Sequence, residues 1–434
     1  MKSRAKIAVL GTGIAGLSAA WLLAGSNDVT VYEKGPYAGG HSNTVDVAGP
    51  DGRIAVDTGF IVYNEPAYPN LTALFGHLGV ATTPTDMTFS VSLNGGALEY
   101  AGNDLFSLFA QKRNLFSRRF WSMLFDIRRF YAEAPIDLPK MEGVTLGAYL
   151  DANNYGAAFR DDHLYPMAAA IWSIPARQVS QYPAQAFTRF CENHGLLKIA
   201  GRPVWRTVVG GSREYVKKLI EPIGDQVVLN APISRVTRDA DGVTVEWPGG
   251  AERFDHVVIA AHADQALAML GDPSPEERRI LSRFAYGRNE TILHGDAALM
   301  PKRRSVWSSW NYLAPGSDAS LSVTYWMNEL QHIPETTPLF VTLNPAVPPR
   351  EDLTHRRFVY EHPIFDLAAI EAQRELWSLQ GERRTWYCGA YFGAGFHEDG
   401  LQAGLAVAEH LGGEKRPWKV ENESGRIHIT APNS

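Results

Sequence analysis

KIAVLGTGIAGLSAAWLLAGSNDVTVYEKG, Lys6–Gly35, changes its hydrophobic period once, and that change decides the fold. Lys6–Leu10 is a short apolar run of the buried-strand type, and after Gly11 the pattern turns helical through LSAAWLLAGS. A second strand-like run, Val29–Tyr32, ends at Glu33. Gly11, Gly13 and Gly16 stand at G-x-G-x-x-G spacing where strand gives way to helix. Gly11 permits the tight turn, Gly13 lets the backbone come close to a ligand, and Gly16 lets helix and strand touch. The N–H groups of Ile14 and Ala15, at the positive end of the helix dipole, then face an anion. Glu33 follows Gly11 by 22 residues, where a carboxylate takes the ribose hydroxyls of an adenosine. Strand, glycine turn, helix, strand and acid in this order define a dinucleotide-binding unit, FAD and NAD both being open at this point.

The same stretch imitates a secretory signal or a membrane span, because basic residues precede an apolar run. Its three glycines argue against an uninterrupted apolar helix. The remaining composition is that of a folded globular chain: 434 residues, 45% hydrophobic and 20% charged. This length predicts two or three domains. A formal net charge of −6 argues against nucleic acid as a partner. Cys191 and Cys388 lie far apart and form no CxxC, so neither a disulfide framework nor a dithiol centre is expected, and a reducing cytoplasm fits. The scattered histidines contain no HExxH, and no metal site is expected.

Beyond Glu33 and Lys34 the chain reads GPYAGGHSNTVDVAG, with Gly39 and Gly40 adjacent, then DTGFIVYN with Thr58 and Gly59. Together with VVLNAPISRVTRDADGVTVEWPGGAERFDHVVIAAHADQALAML, Val227–Leu270, and the glycine-rich YCGAYFGAGFHEDGLQAGLAVAEHL near the end, this resembles the flavin amine oxidase superfamily. The resemblance implies FAD. Gly39 and Gly40 would pass along the pyrophosphate, with His41 in the place of the family's arginine, a charge a histidine carries only part of the time. The segment around Ile233 would lie beside the adenine. Gly389 would close the last strand, with Ala390 where many relatives place an acid. Gly400, Leu401 and Gln402 would bring a helix N-terminus to the pyrimidine edge of the flavin ring, where reduced flavin gathers negative charge.

The expected fold is α/β: a Rossmann-type FAD-binding domain in three pieces (1–85, 207–270 and 383–412), interleaved with a substrate domain (86–206 and 271–382) of helices plus an antiparallel sheet. The tail, 413–434, loses apolar periodicity. In the first insertion, LFSLFAQKRNLFSRRFWSMLFDIRRFYAEA (105–134) reads as a basic, aromatic, amphipathic helix, suited either to an anionic membrane surface or to a solvated face over the core. In the second, SVWSSWNYLAP, LSVTYWMNEL and PLFVTLNP read as strands. Their Trp307, Trp310 and Tyr325, with Tyr391 and Phe392, are the candidate walls of an apolar pocket.

No second GxGxxG follows a strand, which makes nicotinamide use less expected. The expected chemistry is hydride transfer at flavin N5 in a water-excluding site. LHGDAALMP, WSSWNY, VTYWMNELQ and GFHEDG are similar to a bacterial amine-oxidase-like branch often encoded beside cyclopropane-fatty-acid-synthase-like methyltransferases. That resemblance implies a fatty-acyl or phospholipid substrate, undergoing desaturation, saturation or double-bond isomerisation, in the cytoplasm or at the inner face of the membrane. Amine oxidation is the alternative, and a non-catalytic flavin-binding role a third. His397 and His294 are the candidates for proton transfer, and Glu398 reads as a cap for the helix that follows it.

Overall fold

The computed structural model describes residues 4–316 and 322–430. The apolar runs assemble into a five-stranded parallel sheet, ordered Val227–Val228, Asp28–Tyr32, Lys6–Leu10, His256–Ile259 and Thr385–Tyr387. Lys6–Leu10 is central, with Ile7 opposite both Val29 and His256, and Ile7, Ala8 and Val9 have no exposed surface. Cover on both faces is why this strand reads as continuous apolar sequence rather than as an alternation.

The helix Ile14–Ala24 follows the glycine turn and lies against the helix His397–Leu411. Gly404 makes that approach possible. A Cβ at Gly404 would fall 2.2 Å from the Ala15 carbonyl oxygen and 2.4 Å from Ser18 Oγ. At Gly400 a Cβ would meet Ile14 Cγ2 at 3.1 Å. Part of the glycine richness near the C-terminus therefore serves helix-to-helix packing.

The second insertion supplies the expected strands, Ala285–His294, Trp310–Ala314, Ser322–Trp326, Phe340–Leu343 and Thr354–Ile364. The sheet is larger than expected and not wholly antiparallel. It has seven strands and recruits Phe89–Leu93 and Leu98–Ala101 from the first insertion, Phe89–Leu93 running parallel to Trp310–Ala314. Serines at 90 and 92 dilute the apolar signal of FSVSL, yet Ser90 is fully buried and donates to Asn311 Oδ1 at 2.7 Å. The 105–134 segment is helical in three pieces, Leu105–Leu108, a 3-10 turn Lys112–Phe116, and Arg118–Asp137. Asp104 caps the first, accepting from Ser107 N, and Ser117 caps the third, accepting from Phe120 N.

A small antiparallel sheet, Arg235–Arg238, Val243–Trp247 and Gly250–Phe254, is tied to the last parallel strand by a buried ion pair. Arg238 donates to both Glu277 carboxylate oxygens, at 2.8 and 2.9 Å, and Tyr387 Oη donates to Glu277 at 2.6 Å. The tail departs from its loose appearance in sequence. Trp418 stacks on Trp21 with centroids 6.0 Å apart, and Arg416 is buried against Glu409 and Asn70. Polar anchors hold this segment, so hydrophobic periodicity gives no sign of it. Residues 431–434 lie outside the described residues.

Candidate active site

The first glycine turn has the geometry its spacing predicts. Gly11 has φ +112°, and a Cβ there would fall 2.5 Å from the Ala260 carbonyl oxygen. A Cβ at Gly16 would fall 2.0 Å from the Gly11 oxygen, so helix and turn touch. At Gly13 the space is open, with nothing within 4 Å of the absent side chain. No side chain caps the Ile14–Ala24 helix and no acid stands in its first turn. An open approach to uncapped helix N–H groups fits a pyrophosphate.

Gly39 and Gly40 both have positive φ, and Gly40 runs so close that a Cβ would sit 3.1 Å from Gly13 Cα. Glu33 accepts from Thr12 N at 3.0 Å, from Thr12 Oγ1 at 2.5 Å and from Gly35 N at 2.9 Å. Its carboxylate is thus oriented by the loop, with lone pairs left for a ribose. Lys34 is exposed beside it. Glu33 also aligns the edge strand, exchanging backbone hydrogen bonds with Val228 and Ala231, which brings Ile233 alongside as a partly buried residue.

Two further elements extend this cradle. Gly59 is needed where the chain turns back, since a Cβ would fall 2.3 Å from the His41 carbonyl oxygen. Thr58 bonds the Asn43 carbonyl at 3.0 Å and Tyr360 Oη at 2.8 Å. His41 lies over Tyr360, centroids 4.9 Å apart, and 5.3 Å from His362. Burial lowers the His41 pKa to about 4, with the neighbouring His262 adding to the effect. The position therefore carries no fixed positive charge at neutral pH. Its Nε2 is buried without a hydrogen-bond partner among the described residues, an orphaned polar atom next to the glycine pair in sequence.

At the other end, His397 begins the helix that closes the site. Its ring stacks on Phe60 at 3.8 Å, and its Nε2 meets Ser42 Oγ at 2.9 Å and Tyr215 Oη at 3.0 Å. Ser42 and Tyr215 also contact each other through a short hydroxyl–hydroxyl bond. Burial, with His41 nearby, lowers the His397 pKa to about 3. Tyr391 and Phe392 are buried side by side, centroids 5.0 Å apart, with Phe284 5.2 Å from Tyr391. The Tyr391 hydroxyl has no hydrogen-bond partner among the described residues. A Cβ at Gly389 would collide with the Tyr391 ring, at 2.6 Å, so this glycine positions the aromatic pair.

The acids next to His397 are committed elsewhere. Glu398 accepts from Asn70 N and Leu71 N, both at 3.0 Å, and so caps the helix Pro69–Leu78 rather than its own. Asp399 caps its own helix, accepting from Phe396 N at 2.8 Å. Gln402 donates to Glu398 and accepts from Arg426 N, which uses both ends of its amide. Leu401 is fully buried.

His294, the other candidate acid or base, stands in the sheet with both ring nitrogens engaged. It is fully buried at the end of Ala285–His294, whose other end carries Tyr286 stacked on His262. Its Nδ1 accepts from Asp296 N at 3.1 Å, which leaves the proton on Nε2 to be donated to Thr342 Oγ1 at 2.7 Å. Thr342 continues to Thr324, and Thr324 to the Leu299 carbonyl. With both nitrogens used and burial lowering its pKa to about 4, His294 is a satisfied neutral member of the sheet.

The aromatic candidates divide in the same way. Trp307 donates to the Pro301 carbonyl and packs against Trp326, Phe340 and the Arg304 guanidinium, in the surroundings of His294. Trp310 and Tyr325 are cross-strand partners on the opposite face, stacked at 6.3 Å, and Trp310 also meets Phe89. Residues that sequence reading missed include Ser42, Phe60, Tyr215, Tyr360 and His362. Phe358, Tyr360 and His362 alternate along one strand, a period-2 signal that was available. Ser42, Phe60 and Tyr215 come from three separated segments, which no local period connects. Among the described residues no group of histidines, cysteines and carboxylates could hold a metal ion.

This arrangement sets a glycine turn with an oriented carboxylate beside aromatic rings and neutral histidines. The sequence profile of flavin-containing amine oxidoreductases matches residues 14–411, and the chain belongs to that family. The family is one of flavin-containing oxidoreductases, which makes FAD the cofactor of this chain. It is 27% identical over 296 residues to AofH of Mycobacterium tuberculosis, which carries the provisional name flavin-containing monoamine oxidase. That match covers 65% of this chain and 63% of AofH.

Solved structures of the same fold include a CLA-producing fatty acid isomerase from P. acnes, with TM-score 0.67, 14% identity, and 95% and 99% of the two chains covered. Cyclohexylamine oxidase from Brevibacterium oxydans gives TM-score 0.66 and 16% identity over 94% and 99%. Putrescine oxidase bound to putrescine gives 0.64 and 15% over 94% and 99%. At these identities the likeness is one of fold.

Proposed function

We propose that this oxidoreductase acts on an apolar fatty-acyl substrate, free or within a phospholipid, with desaturation, saturation or double-bond isomerisation as the outcome. One observation carries this reading: the groups around His397 are aromatic rings and uncharged histidines, while the nearby carboxylates are spent within the chain. Asp57 accepts from Ser212 N, Ser212 Oγ, Thr44 Oγ1 and Gln331, and Glu398 and Asp399 cap helices. Such a lining favours an alkyl chain over an ammonium group, whose burial requires a partner.

When bound, FAD supplies two-electron hydride acceptance. The chain's own residues do the rest. Phe60, Tyr391 and Phe392 exclude water from the reacting carbons. Ser42 and Tyr215 fix the His397 ring through Nε2. Its Nδ1 has no hydrogen-bond partner among the described residues and is the atom at which a substrate proton can be held. The likeness in fold to a protein named a fatty acid isomerase supports the substrate class. A reducing cytoplasmic setting belongs to the same proposal, supported by Cys191 and Cys388 being buried and unpaired.

Amine oxidation is the second reading, favoured by the likeness to AofH and by the Tyr391–Phe392 pair as an aromatic wall. An anaerobic titration of the holoprotein separates the two, following the visible flavin absorption while fatty acids, phospholipid extract or a panel of amines is added. Bleaching by lipid alone is expected. Bleaching by an amine alone would overturn the proposal, and bleaching by neither would leave a redox-neutral isomerase, detected as a shifted double bond in recovered lipid, or a flavin-binding protein without turnover. His397→Asn is expected to keep its flavin and lose turnover by about 100-fold, in the range of general acid–base catalysis.

A further inference from the structure

The first insertion carries a surface that the catalytic reading does not use. Helix Arg118–Asp137 buries Phe120, Met123, Phe130 and Ala134 against the core, yet its opposite face is also partly apolar. Arg118, Trp121, Phe125 and Arg128 follow one another there at intervals of three and four residues, so they share one outward stripe. Trp121 is 50% exposed and Phe125 68%, and on the preceding segments Phe106 is 77% and Phe116 89% exposed. Trp121 donates to the Leu115 carbonyl at 2.9 Å and meets Phe109 at 5.7 Å, which joins the stripe to those segments. Single exposed apolar side chains are ordinary on a protein surface; a joined group of large aromatics is not.

Charge surrounds this group. Lys112, Arg113, Arg118 and Arg128 are exposed, and none has a carboxylate within 4 Å among the described residues, in a chain whose formal net charge is −6. Beside it opens a cavity of about 420 Å³ whose lining includes Arg113, Asn114, Ser117, Arg119 and Asp162. Asp162 neutralises Arg119 through two hydrogen bonds, at 2.7 and 2.9 Å, so Arg113 contributes the uncompensated charge. Asn114, also on that lining, is only 4% exposed, and its Nδ2 is buried beneath the surface with no hydrogen-bond partner among the described residues.

We propose that this face docks on an anionic phospholipid bilayer, with Phe116, Trp121 and Phe125 entering the interface and the Arg113–Asn114 cavity seating a lipid phosphate. Aromatics enter the boundary between head groups and acyl chains, and unpaired cations beside them are drawn to anionic lipid. Charge complementarity selects this occupant over a second copy of the chain, because a two-fold dimer through this face would set the four unpaired cations against their equivalents. The proposal gives the fatty-acyl reading a source of substrate, but it rests on the surface alone and is tested apart from catalysis.

The test is co-sedimentation of the FAD-loaded protein with vesicles of phosphatidylcholine alone and of phosphatidylcholine with phosphatidylglycerol. Binding to the anionic vesicles only, weakened by salt, is expected. Phe116→Ser with Phe125→Ser should lower the affinity at least tenfold, and Arg118→Gln and Arg128→Gln about fivefold each, with flavin content unchanged. Arg113→Gln with Asn114→Leu should cost more than Arg128→Gln alone; an equal cost would overturn the phosphate seat. Absence of vesicle binding, equal binding to neutral vesicles, or a wild-type dimer that the Phe116→Ser, Phe125→Ser variant converts to monomer would overturn the docking proposal. Flavin bleaching by a soluble short-chain fatty acid, measured without vesicles, reports on the substrate reading separately.

Discussion

Replacing Gly404 by alanine tests whether the helices Ile14–Ala24 and His397–Leu411 depend on one close contact. The added methyl would lie 2.2 Å from a backbone carbonyl oxygen of Ala15 and 2.4 Å from Ser18 Oγ. Ser18 already donates to that same carbonyl at 3.1 Å, so it has little freedom to turn aside. Relief to an ordinary contact therefore requires the helices to separate by about 1 Å, and overpacking of this kind costs roughly 1–3 kcal/mol. Against this stands the gain of about 1 kcal/mol from alanine's better helix propensity.

Gly76 isolates that gain. It lies within the helix Pro69–Leu78, exposed, with nothing within 4 Å of a Cβ. Gly76→Ala is expected to raise the melting temperature slightly, and Gly404→Ala to lower it by up to about 2 °C and to speed loss of FAD on dialysis. The assay is thermal unfolding of the two variants side by side, with flavin retention read from the visible-to-protein absorbance ratio. If both alanines stabilise equally and both proteins keep their flavin, the close helix contact is not what holds the site.

Three other outcomes follow from the geometry. Glu33→Gln places an amide where Thr12 and Gly35 present donors, and the loss of about 1–3 kcal/mol should weaken FAD binding tenfold or more in equilibrium dialysis. Arg238→Met leaves Glu277 buried without its cation and should destabilise by about 3–5 kcal/mol, a deficit that adding Glu277→Leu largely repairs in urea unfolding. The His294 pKa of about 4 lies below its ordinary 6.5, so the unfolded chain binds that proton first. Stability should fall as pH drops from about 6.5 toward 4 and stay flat with respect to this group above 7. His294→Gln should make that acid limb shallower while activity at neutral pH stays within about twofold, and loss of activity with flavin retained would restore His294 to the catalytic candidates.

The parts of the fold that were legible in sequence are those where one local cause acts. The Gly11 turn and the buried Lys6–Leu10 strand declare themselves because each residue answers to its immediate neighbours. Phe89–Leu93 escaped because its serines pair with Asn311 and Glu99 inside the sheet, a satisfaction invisible without the partners. His294 and His397 look alike in sequence, yet one is saturated by Asp296 and Thr342 and the other has a nitrogen to spare. Glu398 was read as a cap correctly in kind and wrongly in address, because the helix it serves lies 328 residues away in the chain. The Ser42–Tyr215–His397 contact required three segments to meet, and nothing short of the fold brings them together.

The contact between Gly404 and Ala15 also sets an order of events in synthesis. The central strand of the parallel sheet emerges early, but its neighbour His256–Ile259, the edge strand Thr385–Tyr387 that pairs with that neighbour, and the helix that covers Ile14–Ala24 emerge much later. At about 5–20 residues per second, roughly 20–80 s separate the two halves of this contact. During that interval an apolar strand edge and an uncovered helix wait in the nascent chain, so the close contact between the two helices is completed only after Gly404 has emerged. A helper that shields apolar surface on the ribosome, or ample free FAD at release, should therefore raise the yield of folded protein more than either does for a protein whose nucleotide site is built from contiguous sequence.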